Sequence, residues 1–340
     1  MGKYDLAPYH PRLARQIAES HVIHTTDAYF AFSKTARKVS RRWGIPLVNS
    51  VHTDTPKYGR IFTAETIRRL AGNSWFSGLL LDRLHIELMT ERRMCSRLAA
   101  YQRNCDFSLV SRPDDLAPLA DLVGPNRYGL MRRGIDCRLF DPAHRDRRWL
   151  ESRFGVSEDS VVVLFVGRVN IGKDVMTLAA AVRDLADQGV PIHLICAGEG
   201  EQIPEVLAML GAVASCPGIL SPEVLARLYA SSDVFATPSR IEVFSNVVLE
   251  AMASGLPILV CSDSGMARVL RDGEAGFIVA GGDPRAWSGA VKRLALDSGL
   301  RDAMGKAARQ SALRDIPSWD DVLLQDLLPV WQRVVAGRKR

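Results

Sequence analysis

Cysteine is scarce in this 340-residue chain, and the six present (Cys95, Cys105, Cys137, Cys196, Cys216 and Cys261) are scattered without a CxxC pair. That spacing argues against a zinc site or a disulfide framework and suits free thiols in a reducing compartment. No run of about 18 or more apolar residues occurs, so no transmembrane helix is expected. Residues 1–10 are polar and carry a proline, unlike a signal peptide, and a cytoplasmic protein is expected. Blocks of positive charge are also missing: none is longer than the terminal Arg338-Lys339-Arg340. With no nucleic-acid motif beside it, no nucleic-acid partner is expected. Two further signatures are absent: a complete GxGxxG, which counts against a dinucleotide-dependent dehydrogenase, and an Asp-x-Asp metal site, so no metal is expected.

What is present is a long chain with the grammar of an α/β protein. The length suits two domains, and the formal charge of +6 favours anionic partners such as nucleotide phosphates or an anionic membrane surface. Short apolar runs at 161–166, 192–197, 213–214, 234–236, 257–261 and 277–279 alternate with helical patterns at 175–186, 205–210, 222–230 and 247–253. The first half repeats this more sparsely, with strands expected at 21–24, 46–51, 107–110 and 127–132. A helix is expected at 29–44, and a long helical stretch at 64–101 broken near Gly72-Asn73. Alternating strands and helices predict parallel, doubly wound, Rossmann-like sheets. Two such domains facing one another are expected, at residues 1–150 and 151–318, with the linker near 140–155, where Pro142 and many charges gather. Residues 1–150 open on a proline-bearing segment rather than a strand–glycine-loop–helix unit. This domain is therefore expected to be small, or to lack about two βα units at its front.

Open α/β sheets bind ligands at the carboxyl ends of their strands, and several loops there carry suitable chemistry. After the run 161–166, Gly167 permits close backbone approach, and Arg168 and Lys173 put two cations at one strand end; a plain solvated loop is the alternative. Gly198-Glu-Gly200 reads either as a tight turn or as the start of a dinucleotide fingerprint that lacks its third glycine. The segment 238–255 leads from a strand through a polar loop into a helix beginning near Ser245 or Asn246. The free N–H groups of such a helix start attract a diphosphate. Glu250 lies one turn beyond Asn246, on the same face, where a carboxylate can accept from two vicinal hydroxyls. Glu242 precedes the helix and would reach a sugar beyond the phosphates, unless both glutamates only complement the helix dipole. The loops 261–265 and 272–276 read as turn chemistry.

The order FVGRV…K, GEG, PSR.E…E, AMASGLP and DGEAGF closely resembles glycosyltransferase family 4, retaining enzymes of the GT-B fold. The likeness is dense over residues 160–310. It extends to His52-Thr-Asp-Thr-Pro-Lys-Tyr58 and to Arg133-Gly-Ile-Asp136 with Phe140-Asp-Pro142. The stretch SRIEVFSNVVLEAMASGLP is most similar to lipid-directed α-mannosyltransferases and their sulfoquinovosyl or glucosyl relatives. The resemblance implies a UDP- or GDP-linked sugar donor and no cofactor. It implies that Arg168 and Lys173 hold the donor diphosphate, Glu250 the ribose and Glu242 the sugar hydroxyls. Gly167, Phe244, Ser245, Asn246 and Val247 would line the phosphates and sugar, and His52 would sit near the donor sugar. It also implies that residues 319–340 form a helix crossing back to the N-terminal domain. Ser245 stands where a glycine is usual and Arg268 where a glutamate is common, and the family's first strand with its Gly-Gly loop has no counterpart.

The expected reaction is transfer of a hexose to an acceptor hydroxyl on a lipid or glycan. The alternatives are a nucleotide-sugar-binding module without turnover, and an epimerase or dehydrogenase of related fold. The stretch 67–103 mixes Arg68, Arg69, Arg83, Arg92, Arg93 and Arg97 with Trp75, Phe76 and Leu79–Leu81. This reads either as a basic amphipathic surface for the inner face of an anionic membrane or as ordinary helix packing.

Overall fold

In a computed structural model the protein is described at residues 7–52, 54–72, 74–242 and 244–338. Residues 1–6, Thr53, Asn73, Val243 and residues 339–340, which fall within segments read above, lie outside the described residues. The chain divides into two compact units. One runs to Arg133 and resumes at Asp320; the other spans Gly134 to Trp319.

The described residues of the first unit form a four-stranded parallel sheet. Its strands are Ile23–Thr25 (β1), Leu47–Val51 (β2), Phe107–Val110 (β3) and Tyr128–Leu130 (β4), adjacent in chain order. Successive side chains of a strand face opposite layers. Thus Leu47 joins Ile23, Ala36, Val39 and Tyr101 on one side, while Val48 joins Phe107, Leu109 and Met131 on the other. The crossover helix Ala31–Trp43 stops at Gly44, whose φ of +67° is the left-handed conformation that ends helices, with Arg41 and Arg42 against the carbonyl end. The long helical stretch is several pieces: Thr55–Ala71, Trp75–Gly78, a π-turn at Leu79–Arg83, and Ile86–Arg103. Register Val51↔Val110 ends β2 and β3 level, so the next residues, His52 and Ser111, meet at the carboxyl edge.

The second unit is a six-stranded parallel sheet in the order β10-β9-β8-β5-β6-β7. The strands are Val161–Val166 (β5), Ile192–Ala197 (β6), Ala214–Gly218 (β7), Val234–Thr237 (β8), Ile258–Cys261 (β9) and Gly276–Val279 (β10). Counted within the unit this is the doubly wound order 3-2-1-4-5-6. The continuous apolar run of β5 is explained by burial on both faces. Val162 and Leu164 enter one core with Phe235, Leu249 and Tyr229, and Val163 and Phe165 enter the other with Leu178, Leu194 and Trp287. Each such side chain contributes about 1.5–3 kcal/mol on burial.

The boundary expected at residue 150 is displaced to Arg133/Gly134. Residues 134–150 carry apolar anchors, Ile135, Phe140 and Leu150, that are buried in the second unit's core. The charges that suggested a solvated linker are pins. Arg309 donates to the carbonyls of Phe140 (2.8 Å) and Cys137 (3.2 Å) and to Asp141 (2.6 Å). Asp233 accepts from Arg145 (2.8 Å), Arg147 (3.1 Å) and the Val162 amide (2.8 Å). At the other end, Val322 and Val334 are buried with Val48 and Leu109, and Arg132–Asp326 (2.8 Å) and Arg338–Asp106 (3.0 Å) tie the last helix to the first unit.

Candidate functional site

In the second unit the winding reverses between β5 and β8, and the carboxyl ends of strands at such a switch point are where open α/β sheets bind ligands. The loop after β5 begins at Gly167, whose φ of +145° favours glycine. The Gly198-Glu-Gly200 segment braces it. A Cβ on Gly198 would collide with the Gly167 carbonyl, and one on Gly200 with that of Val169. Backbone bonds from Gly167 N to Ala197 O and from Val169 N to Glu199 O, both 2.9 Å, hold the two segments together. These glycines therefore serve backbone-to-backbone packing, the tight-turn reading of that segment.

Lys173 ends a short 3-10 turn, Ile171–Lys173, and its ammonium meets the Glu242 carboxylate. Burial, with Arg168 nearby, pushes the Lys173 ammonium down to about 8, while the carboxylate against it favours the charged form. The Arg168 side chain is exposed and makes no hydrogen bond or ion pair among the described residues. The loop after β8 is anchored from below: Glu242 O accepts from Gly265 N (2.7 Å), and Arg240 pairs with Asp263 (2.8 Å). Two cations after β5 and a carboxylate after β8 thus stand at neighbouring strand ends, able to neutralise a diphosphate and to accept from a hydroxyl.

The helix Asn246–Ala253 starts at the N-cap Ser245, which makes no side-chain cap bond. Ser245 has φ −118° and ψ 112°, ordinary extended backbone, so serine fits where a glycine is usual without strain. Its amide meets the Met266 sulfur at 3.3 Å. Phe244 packs on the core below. The buried Asn246 Oδ1 has no hydrogen-bond partner, a polar atom whose burial is costly unless a ligand meets it. Glu250 is largely buried and its carboxyl is pushed up by that burial. The Tyr229 hydroxyl donates to Glu250 Oε2 (3.0 Å) and lies 3.2 Å from Val247 O. One carboxylate oxygen is thereby fixed, and a carboxylate so held can accept from vicinal hydroxyls.

Sequence reasoning missed Tyr229, which sits inside an apolar helical pattern; a buried tyrosine needs a partner for its hydroxyl, and that need was the available clue. It also read 261–265 as turn chemistry alone, whereas Gly265 and Met266 support the Glu242–Ser245 loop. Arg268, where glutamate is common, lies on the short turn Gly265–Arg268 beside them.

His52 belongs to the first unit. Its Nδ1 accepts from Arg133 Nη1 (3.2 Å) and lies 3.1 Å from Ser111 Oγ, and its Nε2 lies 2.7 Å from Ser50 Oγ. Ser50 Oγ is 2.9 Å from His24 Nε2, and His24 Nδ1 accepts from Trp331 Nε1 (3.2 Å). Burial lowers both imidazoles to about 4, aided at His52 by the Arg133 charge.

Residues 147–311 match the family model for glycosyl transferases group 1. The D-inositol 3-phosphate glycosyltransferase of Acidothermus cellulolyticus is 30% identical over 94% of this chain and 68% of that protein. Among solved structures, sucrose-phosphate synthase from Thermosynechococcus elongatus has a TM-score of 0.72 at 21% identity, covering 96% of this chain and 78% of that one. HepE from Anabaena, solved with UDP and glucose, has a TM-score of 0.67 at 14% identity, covering 97% and 80%. The two parallel-sheet units are a GT-B fold, and the chain is a glycosyltransferase acting on a sugar donor: it belongs to the group 1 glycosyltransferases.

Proposed function

We propose that this protein transfers a hexose, with retention and without a metal ion, from a UDP- or GDP-linked donor to a hydroxyl of a lipid or glycan. On this reading it is a family 4 enzyme of the lipid-directed α-mannosyl or sulfoquinovosyl kind. The observation that carries the reading is the Lys173–Glu242 pair at the carboxyl ends of β5 and β8, beside a helix start whose N-cap side chain is unused. A diphosphate arriving there draws Lys173 and Arg168 to its oxygens and frees Glu242 to accept from the sugar hydroxyls. The Asn246 and Val247 amides and the Ser245 hydroxyl face developing negative charge on the leaving group, as in an oxyanion hole. Glu250, steadied by Tyr229, takes the ribose. These cations supply the charge that an Asp-x-Asp metal site would otherwise provide. Solved relatives of the same fold support a nucleotide-sugar donor: HepE was crystallised with UDP and glucose.

The test is sugar transfer from UDP- and GDP-hexoses in the presence of a chelator, with the product anomer read by NMR. Retained configuration, insensitivity to chelator, and loss of transfer in Lys173→Met and Glu242→Gln are expected. Undiminished transfer in either variant would sink the assignment. Calorimetric nucleotide binding with no transfer to any acceptor would favour the non-catalytic module.

A membrane partner is supported by the first unit. Leu70 (83% exposed), Trp75 (81%) and Phe76 (47%) stand out near one end of the helical pair, and Arg68, Arg69, Arg83, Arg92, Arg93 and Arg97 are all exposed. Apolar side chains among cations suit the interface of an anionic bilayer. Co-sedimentation with phosphatidylglycerol vesicles, lost in Trp75→Ser, is expected; equal sedimentation of the variant contradicts it. Among the described residues no helix is long and apolar enough to cross a membrane.

A further inference from the structure

We propose that Cys196 and Cys216 form an oxidative modification site, a dithiol that a hydroperoxide closes to a disulfide, loosening the loop after β5. That this loop serves the donor rests on the proposed function; the bond and its effect on the loop do not.

The two cysteines lie on neighbouring strands. β6 and β7 run parallel, with Leu194 opposite Ala214 and Ile195 opposite Ser215, so Cys196 and Cys216 follow side by side. Both face the same layer: Cys196 is fully buried in the core with Leu194 and Val206, and Cys216 packs half-buried against that core. Neighbouring strands are about 4.8 Å apart, within the Cα separation of about 4.4–6.8 Å that a disulfide spans. Both thiols are free, and the Cys196 S–H donates to the Cys216 sulfur. That bond pushes the Cys216 thiol down and, with burial, the Cys196 thiol well up. The accessible sulfur is thus the nucleophile and the buried one its resolving partner.

The register supplies the freedom to close. It slips after Ile195, and Ala197 pairs with Gly218, so β7 carries one extra residue at this point. β7 is an edge of the sheet, and Pro217, next to Cys216, has no N–H to give the ladder. On the opposite face Ser215 is held by His193 (2.8 Å) and the Phe154 carbonyl (3.3 Å). A new S–S bond therefore moves the strand beyond Ser215, toward Gly218. That end is tied to the loop after β5. Gly198 N donates to Gly218 O (2.9 Å), and Gly198 lies so close to the Gly167 carbonyl that a Cβ there would overlap it. Gly167 N in turn donates to the carbonyl of Ala197, the residue after Cys196. Drawing Cys216 onto Cys196 shifts Gly218, then Gly198, then the amides of Gly167 and Val169.

The chemistry balances with hydrogen peroxide as the oxidant. The Cys216 thiolate attacks one peroxide oxygen; the S–O bond forms, the O–O bond breaks, and the released hydroxide takes up the proton the thiol had lost and leaves as water. Cys196 then attacks that sulfur: the S–S bond forms, the S–O bond breaks, and the hydroxyl leaves with the Cys196 proton as a second water. The sulfur pair is oxidised by two electrons, and the peroxide is reduced by them.

In the test, the full chain is treated with hydrogen peroxide, mapped by non-reducing peptide mass spectrometry, and followed by hydrogen–deuterium exchange, which reads the loop without sugar transfer. A Cys196–Cys216 disulfide that dithiothreitol reverses is expected. Cys196→Ala should stop at a sulfenic acid on Cys216, trapped by dimedone, and Cys216→Ser should form no bond at Cys196. Oxidation should speed exchange at Gly167 and Val169 by about fivefold, the weight of one backbone hydrogen bond, and should leave it unchanged in Cys216→Ser. Oxidation of other thiols with Cys196 and Cys216 left reduced, or a disulfide with unchanged exchange, overturns the proposal. UDP titration of the reduced chain tests the donor reading separately, so a failure there is distinguishable from a failure here.

Discussion

Replacing Tyr229 by phenylalanine removes one oxygen atom and isolates the link between the second core and the donor end. The ring is fully buried and stacks edge-on to Phe140 at 5.7 Å, so its packing survives the change. The loss is the hydroxyl donated to Glu250 at 3.0 Å. A bond to a charged acceptor is worth about 1.5–3 kcal/mol, and the carboxylate left behind is buried. At roughly 2–4 °C per kcal/mol for a unit of this size, melting should fall by about 3–12 °C. The carboxyl of Glu250, already pushed up by burial, should rise further. Nucleotide affinity in Tyr229→Phe should therefore drop more steeply than in the native chain as pH falls toward that of the carboxyl, because only the ionised form is a pure acceptor. Scanning calorimetry and UDP and GDP titrations at two pH values measure both effects. A variant that melts and binds like the native chain would refute the reasoning.

Gly198→Ala should displace the loop after β5, since φ there is +143° and the new Cβ meets the Gly167 carbonyl; weaker nucleotide binding with an intact fold by circular dichroism is expected. Asp233→Ala should cost ~3 kcal/mol or more in chemical denaturation, because Arg145, Arg147 and the Val162 amide lose their shared acceptor. His24, His52 and His193 are each lowered by burial from 6.5 to about 4. Unfolded chains take up these protons first, so stability present above pH 6.5 should be lost as pH falls toward 4, by up to ~1.4 kcal/mol per pH unit per histidine. A Tm unchanged between pH 7 and 5 would contradict this.

The parts of this molecule that were legible in its sequence are those fixed by local chemistry. Val161–Val166, Ile192–Ala197 and Phe107–Val110 are strands at the expected residues because short, mainly apolar runs buried on both faces suit a parallel sheet. That the loops proposed for the donor lie at strand ends was legible because glycine, cations and a helix start follow the apolar runs in order. The domain boundary was not. Proline and charge near Pro142 have the composition of a linker, and only the distant Arg309 and Asp233 turn that segment into part of the second unit. Likewise nothing local pairs Lys173 with Glu242, Tyr229 with Glu250, or Trp331 with His24; these are products of sheet order and register.

On the proposed function, Glu250 receives the donor ribose beside the diphosphate site. Calorimetric titration of UDP and GDP against their 2′-deoxy forms, in the native chain and in Glu250→Gln, tests it most directly. The native chain should bind the preferred ribonucleotide about tenfold more tightly than its deoxy form, as expected for a hydroxyl bonded to a charged acceptor. Glu250→Gln should erase most of that preference. Equal preference in the two proteins, or none in the native chain, would contradict the claim.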